Sequence, residues 1–376
     1  VDASHVDVDP ERTSLTGTGG RIELGKNGGG NLRYNGGFIW RSPELELNDV
    51  GFLRQADELK QYANVYYQNL KPFGKFRRIN IWLEQFTTYD FEGNFNRIQF
   101  DLGSYTQFKN NWWANVGFIY KPRILTNTIL RGGPRFRFSD EFINYSFFGT
   151  DSRKKLRFHA GVVYSEGQER SFTFGSVEAG VNYQPLDALN ISLIPQFSRN
   201  TNTLQYIEES DYNGTPRYLL GNMDQQTLSA SIRFNYSINP NLSIQYYGQP
   251  FVFRATYSDF SRVSDTPTAN DFRQRRLLYN PDQVSFSDDV YTIDEDSNGV
   301  MDYSFENPDF TFVQFRSNLV LRWEYIPGSE IFLVWSQGIT GSGDPSEHLF
   351  RSLDRQILGK QPENIFLIKA TYRFIL

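Results

Sequence analysis

Apolar and polar residues alternate one by one through most of this 376-residue chain. The alternation is clearest at the C-terminus, where the apolar positions are Phe366, Ile368, Ala370, Tyr372, Phe374 and Leu376. Polar Lys369, Thr371 and Arg373 occupy the positions between them. Because successive side chains of a strand point to opposite faces, this pattern predicts β-strands with one apolar and one polar face.

About fifteen segments share this pattern, and many have roughly 9 to 14 residues, whereas the usual strand of a soluble protein has roughly 5–6. Short connections between the segments alternate with longer ones. The longer ones are residues 44–58, 123–137, 204–218, 264–309 and 342–364. Short turns at one end and long loops at the other are typical of bacterial outer-membrane barrels.

We therefore predict an all-β fold, a transmembrane antiparallel up-and-down β-barrel of about 16 strands (range roughly 14–18), with short periplasmic turns and long extracellular loops. Residues 13–376 would form the barrel. Residues 1–12 would be an N-terminal lead-in. This lead-in would be truncated or would form part of an extra strand, because single-chain bacterial barrels have even strand numbers. A soluble β-sandwich is the alternative, but polar faces rich in Ser, Asn, Gln and Gly disfavour it.

The amino-acid composition further narrows the class of protein to which this chain can belong. Aromatic residues make up 16% of the chain, and many stand at strand ends, as in membrane-interface girdles. Cysteine is absent, which excludes disulfides, thiolate metal sites and cysteine nucleophiles. The net charge of −5 is spread along the chain, so no nucleic-acid partner is expected. Apolar runs of about five residues are too short for a spanning helix, and VDASHVDVDPERTS has no apolar signal-peptide segment.

Several phrases together resemble a known family. They are RSPELELNDVGFLRQADE (41–58), GGPRFRF (132–138), GTDSRKKLRF (149–158), the block 307–338 and NIFLIKATYRFIL (364–376). They are similar to an uncharacterised Bacteroidota outer-membrane family in which a carbohydrate-binding family-9-like domain precedes a C-terminal β-barrel. The resemblance implies a cell outer-membrane location for this barrel part. It also implies an export signal and a glycan-binding domain, neither of which is in these residues.

The longest loop, 264–309, contains the best local motif, IDEDSNGVMDYSFE. The candidate ligands for Ca²⁺ are Asp294, Asp296, Asn298, the Val300 carbonyl and Asp302. Their spacing matches positions 1, 3, 5, 7 and 9 of a calcium loop, and Gly299 stands at the turn. Phe305 occupies position 12, where a bidentate carboxylate is usual, and Glu306 follows it. An acidic, solvated loop without an ion is the competing interpretation.

Alternation also predicts which charges face the lumen. They are Glu84, Arg97, Asp101, Arg157, Glu178, Arg233, Arg322, Glu324, Lys369 and Arg373. Because their signs are mixed, we expect pairing across the lumen, a constricted interior or a loop plug rather than a strongly selective pore.

No catalytic constellation is visible in the sequence. The three histidines, His5, His159 and His348, lack the spacing of a Ser–His or Asp–His pair, and His159 is expected to face the lumen. SEHLFRSLDRQILGK (346–360) predicts a short amphipathic helix in the extracellular loop 342–364 that caps the barrel or docks a partner.

Three functions follow from this interpretation. The first is an outer-membrane anchor or a subunit of a larger outer-membrane assembly, related to surface glycan. The second is a passive channel or transporter for small solutes, and the third, disfavoured one is a barrel enzyme. The expected partners are outer-membrane lipid, other outer-membrane or surface proteins, and glycan bound through the N-terminal domain that the resemblance implies.

Overall fold

The computed structural model describes residues 5, 6, 9, 11–49 and 51–374. Long strands make up most of it. The strands of the first half are β1 Gly19–Lys26, β2 Leu32–Arg41, β3 Glu58–Asn69, β4 Phe76–Tyr89, β5 Phe95–Phe108, β6 Trp113–Thr126, β7 Phe136–Phe138, β8 Glu141–Gly149, β9 Leu156–Gly167 and β10 Phe172–Leu186. Those of the second half are β11 Leu189–Tyr212, β12 Thr215–Asn239, β13 Leu242–Val263, β14 Arg276–Leu278, β15 Val284–Ser287, β16 Val290–Ile293, β17 Tyr303–Glu306, β18 Phe310–Ile326, β19 Ser329–Gly343 and β20 Glu363–Ala370.

Seventeen of these strands form one antiparallel sheet, which falls in the expected range of strand number. Fifteen run as an up-and-down meander from β1 to β20, while the short β7 and β14 lie beside β6 and β13. β15, β16 and β17 form a separate three-stranded sheet within the 264–309 loop. Among the described residues, β1 and β20 each pair on one side only, so they are the two edges of the large sheet.

The register of the meander brings the apolar positions of neighbouring strands together. Ile22 lies opposite Phe38, and Leu83 opposite Leu102. We call this side of the sheet the apolar face and the other side the polar face. Large side chains of the apolar face are solvent-exposed: Leu24 is 80% and Ile368 is 75% exposed. Such a wide exposed apolar surface requires a partner other than water.

Strands β11, β12 and β13 extend well beyond their neighbours at the end of the sheet that carries the long loops. Asn213 and Gly214, with φ of 54° and 78°, form the tight turn between β11 and β12. The prediction of a loop over residues 204–218 is therefore wrong. Bulges in β11 after Asn202 and after Tyr206 break the strict alternation there, which explains why the pattern was missed.

The extension is covered on both faces. Leu219 and Leu220 are adjacent in β12 and therefore point to opposite sides. Leu220 packs with Leu130 and Phe136 from the connection between β6 and β8, whereas Leu219 packs with Ile293 and Phe305 of the three-stranded sheet. The largest cores of the described structure thus lie in this layered end, outside the main run of the sheet.

The predicted helix is present as α1, Leu349–Leu353, continued by a π-helical turn, Asp354–Leu358. It does not extend over the end of the sheet. Leu349 packs on Val252 of β13 and Val313 of β18, which belong to the apolar face. No helix in the described part of the chain is both long enough and apolar enough to cross a membrane.

Candidate functional site

The acidic motif of the 264–309 loop folds back on itself. Carboxylate oxygens of Asp294, Asp296 and Asp302 lie within 4.8 Å of one another. The backbone N–H of Gly299 donates to Asp294 Oδ2 at 2.7 Å, and the φ of 87° at Gly299 is one that glycine adopts without strain. Three oxygen ligands at this separation suit a hard cation such as Ca²⁺.

The other predicted ligands are placed differently. The Asn298 amide donates to Asp296 Oδ2 at 2.9 Å, and its Oδ1 accepts the Val300 backbone N–H at 2.8 Å, so its oxygen is engaged by the turn. The Val300 side chain is 65% exposed. Phe305 is buried in the core beneath the loop, and Glu306 pairs with Val290 at the far end of β17. Among the predicted ligands, the carboxylates of Asp294, Asp296 and Asp302 converge.

Glu295, between two of these aspartates, anchors the loop to the extension. Its carboxylate accepts from Arg217 at 3.0 Å and Tyr303 Oη at 2.6 Å and pairs with Arg262 at 3.1 Å. Burial disfavours the charged carboxylate, but hydrogen bonds from Arg217 and Tyr303 outweigh it and lower the pKa of Glu295. This role was not predictable from the sequence, because Arg217 is 78 residues away along the chain.

Tyr279 completes this polar cluster. Its hydroxyl lies 2.7 Å from that of Tyr303, and burial raises the pKa of Tyr279 to about 12. Burial and the hydrogen bond to Glu295 raise the pKa of Tyr303 as well. Both phenols are therefore neutral near pH 7, and Tyr303 donates its hydrogen bond to the Glu295 carboxylate.

The predicted lumen charges of β4 and β5 lie together on the polar face. Glu84 and Asp101 are directly opposite each other in the β4–β5 register. Tyr66 Oη donates to Glu84 at 2.6 Å, and Trp82 Nε1 and Tyr145 Oη each lie 3.3 Å from Asp101. These aromatic donors satisfy two carboxylates that would otherwise repel each other across the strands.

Gly103 and Gly117 make room for these aromatic rings. A Cβ at Gly117 would stand 2.2 Å from the Tyr145 ring, and one at Gly103 would stand 2.3 Å from Trp82. The two glycines are thus required by close packing within the sheet rather than by a turn.

The remaining predicted lumen charges contact nearby parts of the wall. Arg97 lies over Phe86, Arg157 contacts Asn182, Glu178 lies 3.8 Å from His159, Arg233 lies over Tyr247, and Arg322 pairs with Glu324 and Glu330. Lys369 stands opposite Phe332, and the Arg373 side chain lies against Gly328. Each of these contacts joins a strand to itself, to a neighbour, or to an adjoining turn. These side chains therefore lie along the wall, where Arg322 pairs with two carboxylates.

A cavity of 910 Å³ opens where β3, β4, β5 and β6 reach the long loops. Its charged lining is Arg54, Asp57, Glu58, Asp90, Arg97 and Arg131. Burial opposes ionisation of Asp90, but hydrogen bonds from Asn94 and Arg135 outweigh it and lower its pKa. The sequence did not predict this cavity, because its walls come from several loops that only the strand order brings together.

The histidines lie in three separate places. His5 Nε2 lies 2.9 Å from Asp57 at the rim of the cavity. His159 lies on the polar face beside Glu178, and His348 caps the N-terminus of α1 through Phe350 N. These contacts are structural, and none of them brings a described histidine to a serine hydroxyl.

Among the solved structures that resemble this chain are a secretin and a porin. One, described as a bacterial polysaccharide outer membrane secretin, is 9% identical with a TM-score of 0.34, covering 83% of this chain and 79% of that one. The other, described as the NanC porin, is 10% identical with a TM-score of 0.21, covering 74% of this chain and 94% of that one. These scores are too low to support an argument about fold or function.

No curated protein matches the chain. A family model described as a domain of unknown function, DUF5916, matches residues 1–375. This match spans the whole meander together with the 264–309 loop and the α1 segment. The chain therefore belongs to the DUF5916 family.

Proposed function

We propose that this chain is an outer-membrane β-barrel that serves as a subunit of a larger outer-membrane assembly. The barrel would anchor a folded extracellular platform, the name we give to the β11–β13 extension together with the 264–309 loop. The observation that carries the proposal is the apolar face, on which side chains such as Leu24 and Phe366 are 80% and 74% exposed. A bilayer would cover this face, while the opposite, polar face would line the lumen. The layered β11–β13 extension would then stand outside the cell.

The connections between strands predict which residues would be exposed on each side of the membrane. Tight turns such as 239–241 would lie in the periplasm, and the 264–309 loop would lie outside. The Asp282→Cys variant should react with a membrane-impermeant maleimide on intact cells, because Asp282 is exposed in that loop. The matched Asn241→Cys variant, exposed in a tight turn, should react only after the outer membrane is opened. Equal labelling of both variants on intact cells would contradict the proposal.

A passive channel is the second candidate. It is favoured by the charged side chains of the polar face, because their contacts within the described residues run along the wall, as between Glu84 and Tyr66. Single-channel recording of the purified chain in a planar bilayer would separate the candidates. Discrete, reproducible openings would support the channel, whereas silence from protein shown to be inserted would support the anchor.

Ca²⁺ is the proposed ion of the extracellular platform. The convergence of Asp294, Asp296 and Asp302 supports this assignment, and the ion would order the loop between β16 and β17. Millimolar CaCl₂ should protect the loop from proteolysis, and Asp296→Asn should abolish that protection. Asp282→Asn, an exposed acid of the same loop outside the cluster, is the control. Protection that is equal in both variants would contradict the assignment.

Glycan is the surface ligand that we propose for the complete assembly. The support is the resemblance to the Bacteroidota family with a carbohydrate-binding family-9-like domain. In this account the barrel supplies the membrane anchor, and the glycan contact belongs to the domain that the resemblance implies.

A further inference from the structure

The apolar face ends at a sharp boundary on β11, β12, β13 and β18. The last apolar row consists of residues that lie directly opposite one another on these strands, Phe197, Leu228, Val252 and Val313. The next row of the same face, closer to the long loops, is polar and consists of Arg199, Gln226, Arg254 and Thr311. In the barrel proposed above, this boundary is the level at which the outer leaflet meets water.

The α1 segment, residues 349–358, lies on this boundary. Leu349 packs on Val252 and Val313 of the apolar row. Arg254 of the polar row donates from Nη1 to the backbone carbonyl of Glu347 at 3.1 Å, just before the helix. The two rows therefore hold the start of the helix at the level where the apolar face ends.

The segment crosses the strands along the boundary. It begins over Val252 of β13 and Val313 of β18. By Gln356 it has reached β19, where a Cβ at Gly341 would stand 2.9 Å from Gln356 Oε1. Because Gly341 pairs with Val313, both ends of the segment lie at the level of the same row. This is the orientation of a helix that lies in the plane of a membrane interface.

Large apolar and basic side chains cover the side of the segment that faces away from the sheet. Phe350 and Leu358 are 65% and 81% exposed. The side chains of Arg351 and Arg355 are 75% and 68% exposed, and both pair with Glu347, whose side chain is 8% exposed. Since a guanidinium group has five N–H donors, two arginines that share one carboxylate keep donors for a further anion.

We propose that the α1 segment is an interfacial helix whose ligand is lipid of the outer leaflet. Phe350 and Leu358 enter the acyl layer, while Arg351 and Arg355 reach out of it and bind lipid phosphate through charge-assisted hydrogen bonds. A bilayer that covers the apolar row also surrounds a helix that lies on the same row. This assignment rests on the outer-membrane barrel proposed above, and it adds a defined lipid site to it.

Depth-dependent fluorescence quenching tests the position of the helix, and the labelling is clean because the chain has no cysteine. The full chain would be folded into vesicles of phosphatidylcholine and phosphatidylglycerol that carry a nitroxide either near the headgroup or deep in the acyl chain. A fluorophore on Phe350→Cys or Leu358→Cys should be quenched more strongly by the shallow nitroxide. Leu193→Cys, on the apolar face of β11 below the boundary, should be quenched more strongly by the deep one. Asp282→Cys, exposed in the 264–309 loop, should be quenched by neither.

Native mass spectrometry of the chain extracted from the same vesicles tests the phosphate contact. The Arg351→Gln/Arg355→Gln variant should retain fewer phosphatidylglycerol molecules than the wild type. Asp354→Asn, which removes an exposed negative charge from the same segment, is the matched control and should retain at least as many. Equal retention by the arginine variant and the wild type would overturn the role of the two arginines.

The quenching pattern also separates this proposal from the barrel on which it rests. Lipid quenching at Leu193 without lipid quenching at Phe350 and Leu358 would overturn the interfacial helix and leave the barrel in place. No lipid quenching at Leu193 would overturn the barrel itself.

Discussion

At the scale of residues, alternation identified the face of a side chain but not its neighbours. It placed Glu84 and Asp101 on the polar face, where the structure has them. It could not show that they are opposite each other in β4 and β5, since that depends on strand register. Nor could it show that Tyr145 of β8 reaches Asp101 over Gly117 of the intervening β6.

Substitution of Gly117 tests this close packing. In Gly117→Ala the new Cβ would overlap the Tyr145 ring, so the ring must move away from Asp101. We expect the free energy of unfolding to fall by about 1–3 kcal/mol, as for other overpacked sites. Heat-dependent migration of the folded protein on gels would measure the change. Gly175→Ala is the matched control, because no atom lies within 4 Å of its Cβ, and equal effects in the two variants would contradict this role of Gly117.

Replacement of Glu295 should loosen the extracellular platform. In Glu295→Gln, Arg217 and Arg262 lose their shared carboxylate while remaining largely buried, at 18% and 21% side-chain exposure. We expect the free energy of local unfolding to fall by about 2 kcal/mol or more, because an uncompensated buried charge is costly. Hydrogen exchange of residues 284–306 reports the loss. The exposed Glu306→Gln should exchange like the wild type.

The same carboxylate makes the platform sensitive to acid. The folded-state pKa of Glu295 lies below its ordinary value of 4.5. The stabilisation that ionised Glu295 gives to the folded platform is therefore complete above that ordinary value. It is lost as the pH falls through the lowered folded-state pKa. Proteolysis of the loop with an acid-stable protease should show constant protection near neutral pH and a decline below about pH 4.5. In Glu295→Gln this decline should be absent.

At the scale of elements, most strand positions were predictable, whereas the longest strands were underestimated. The tight turn at Asn213 and Gly214 was overlooked because bulges in β11 shift the alternation before it. Asp259, with a φ of 48°, marks a similar irregularity in β13. The α1 helix was predicted from its apolar stripe, but its position on the apolar face depends on Val252 and Val313, which lie far away in sequence.

The two-layer packing of β12 predicts distinct effects for neighbouring leucines. Leu219→Ala should loosen the three-stranded sheet β15–β17, and Leu220→Ala should loosen the connection between β6 and β8. Each substitution should lower the free energy of local unfolding by about 2–5 kcal/mol, since both side chains are fully buried. Hydrogen exchange resolved by peptide would show two separate regions of faster exchange. Identical maps for the two variants would mean that the layers form one cooperative unit.

At the scale of the whole molecule, the class of fold was available from the sequence because the period of two persists over nearly the whole chain. The strand count was also close, since each strand carries its own apolar and polar faces. The cavity near Asp90 and Arg97 and the cores of the extension were not predictable, because they bring together segments that are far apart in the sequence. Long-range assembly of this kind leaves no local pattern in the sequence.

The central claim is that the apolar face contacts lipid and the polar face contacts water. A cysteine scan along β11 from Leu189 to Phe197, with a fluorophore at each position and quenchers in lipid or in water, tests it most directly. We predict that Ile191, Leu193 and Phe197 variants are quenched from the lipid, and that Ser192, Ile194 and Gln196 variants are not. Reversed alternation, or quenching from water at every position, would contradict the account.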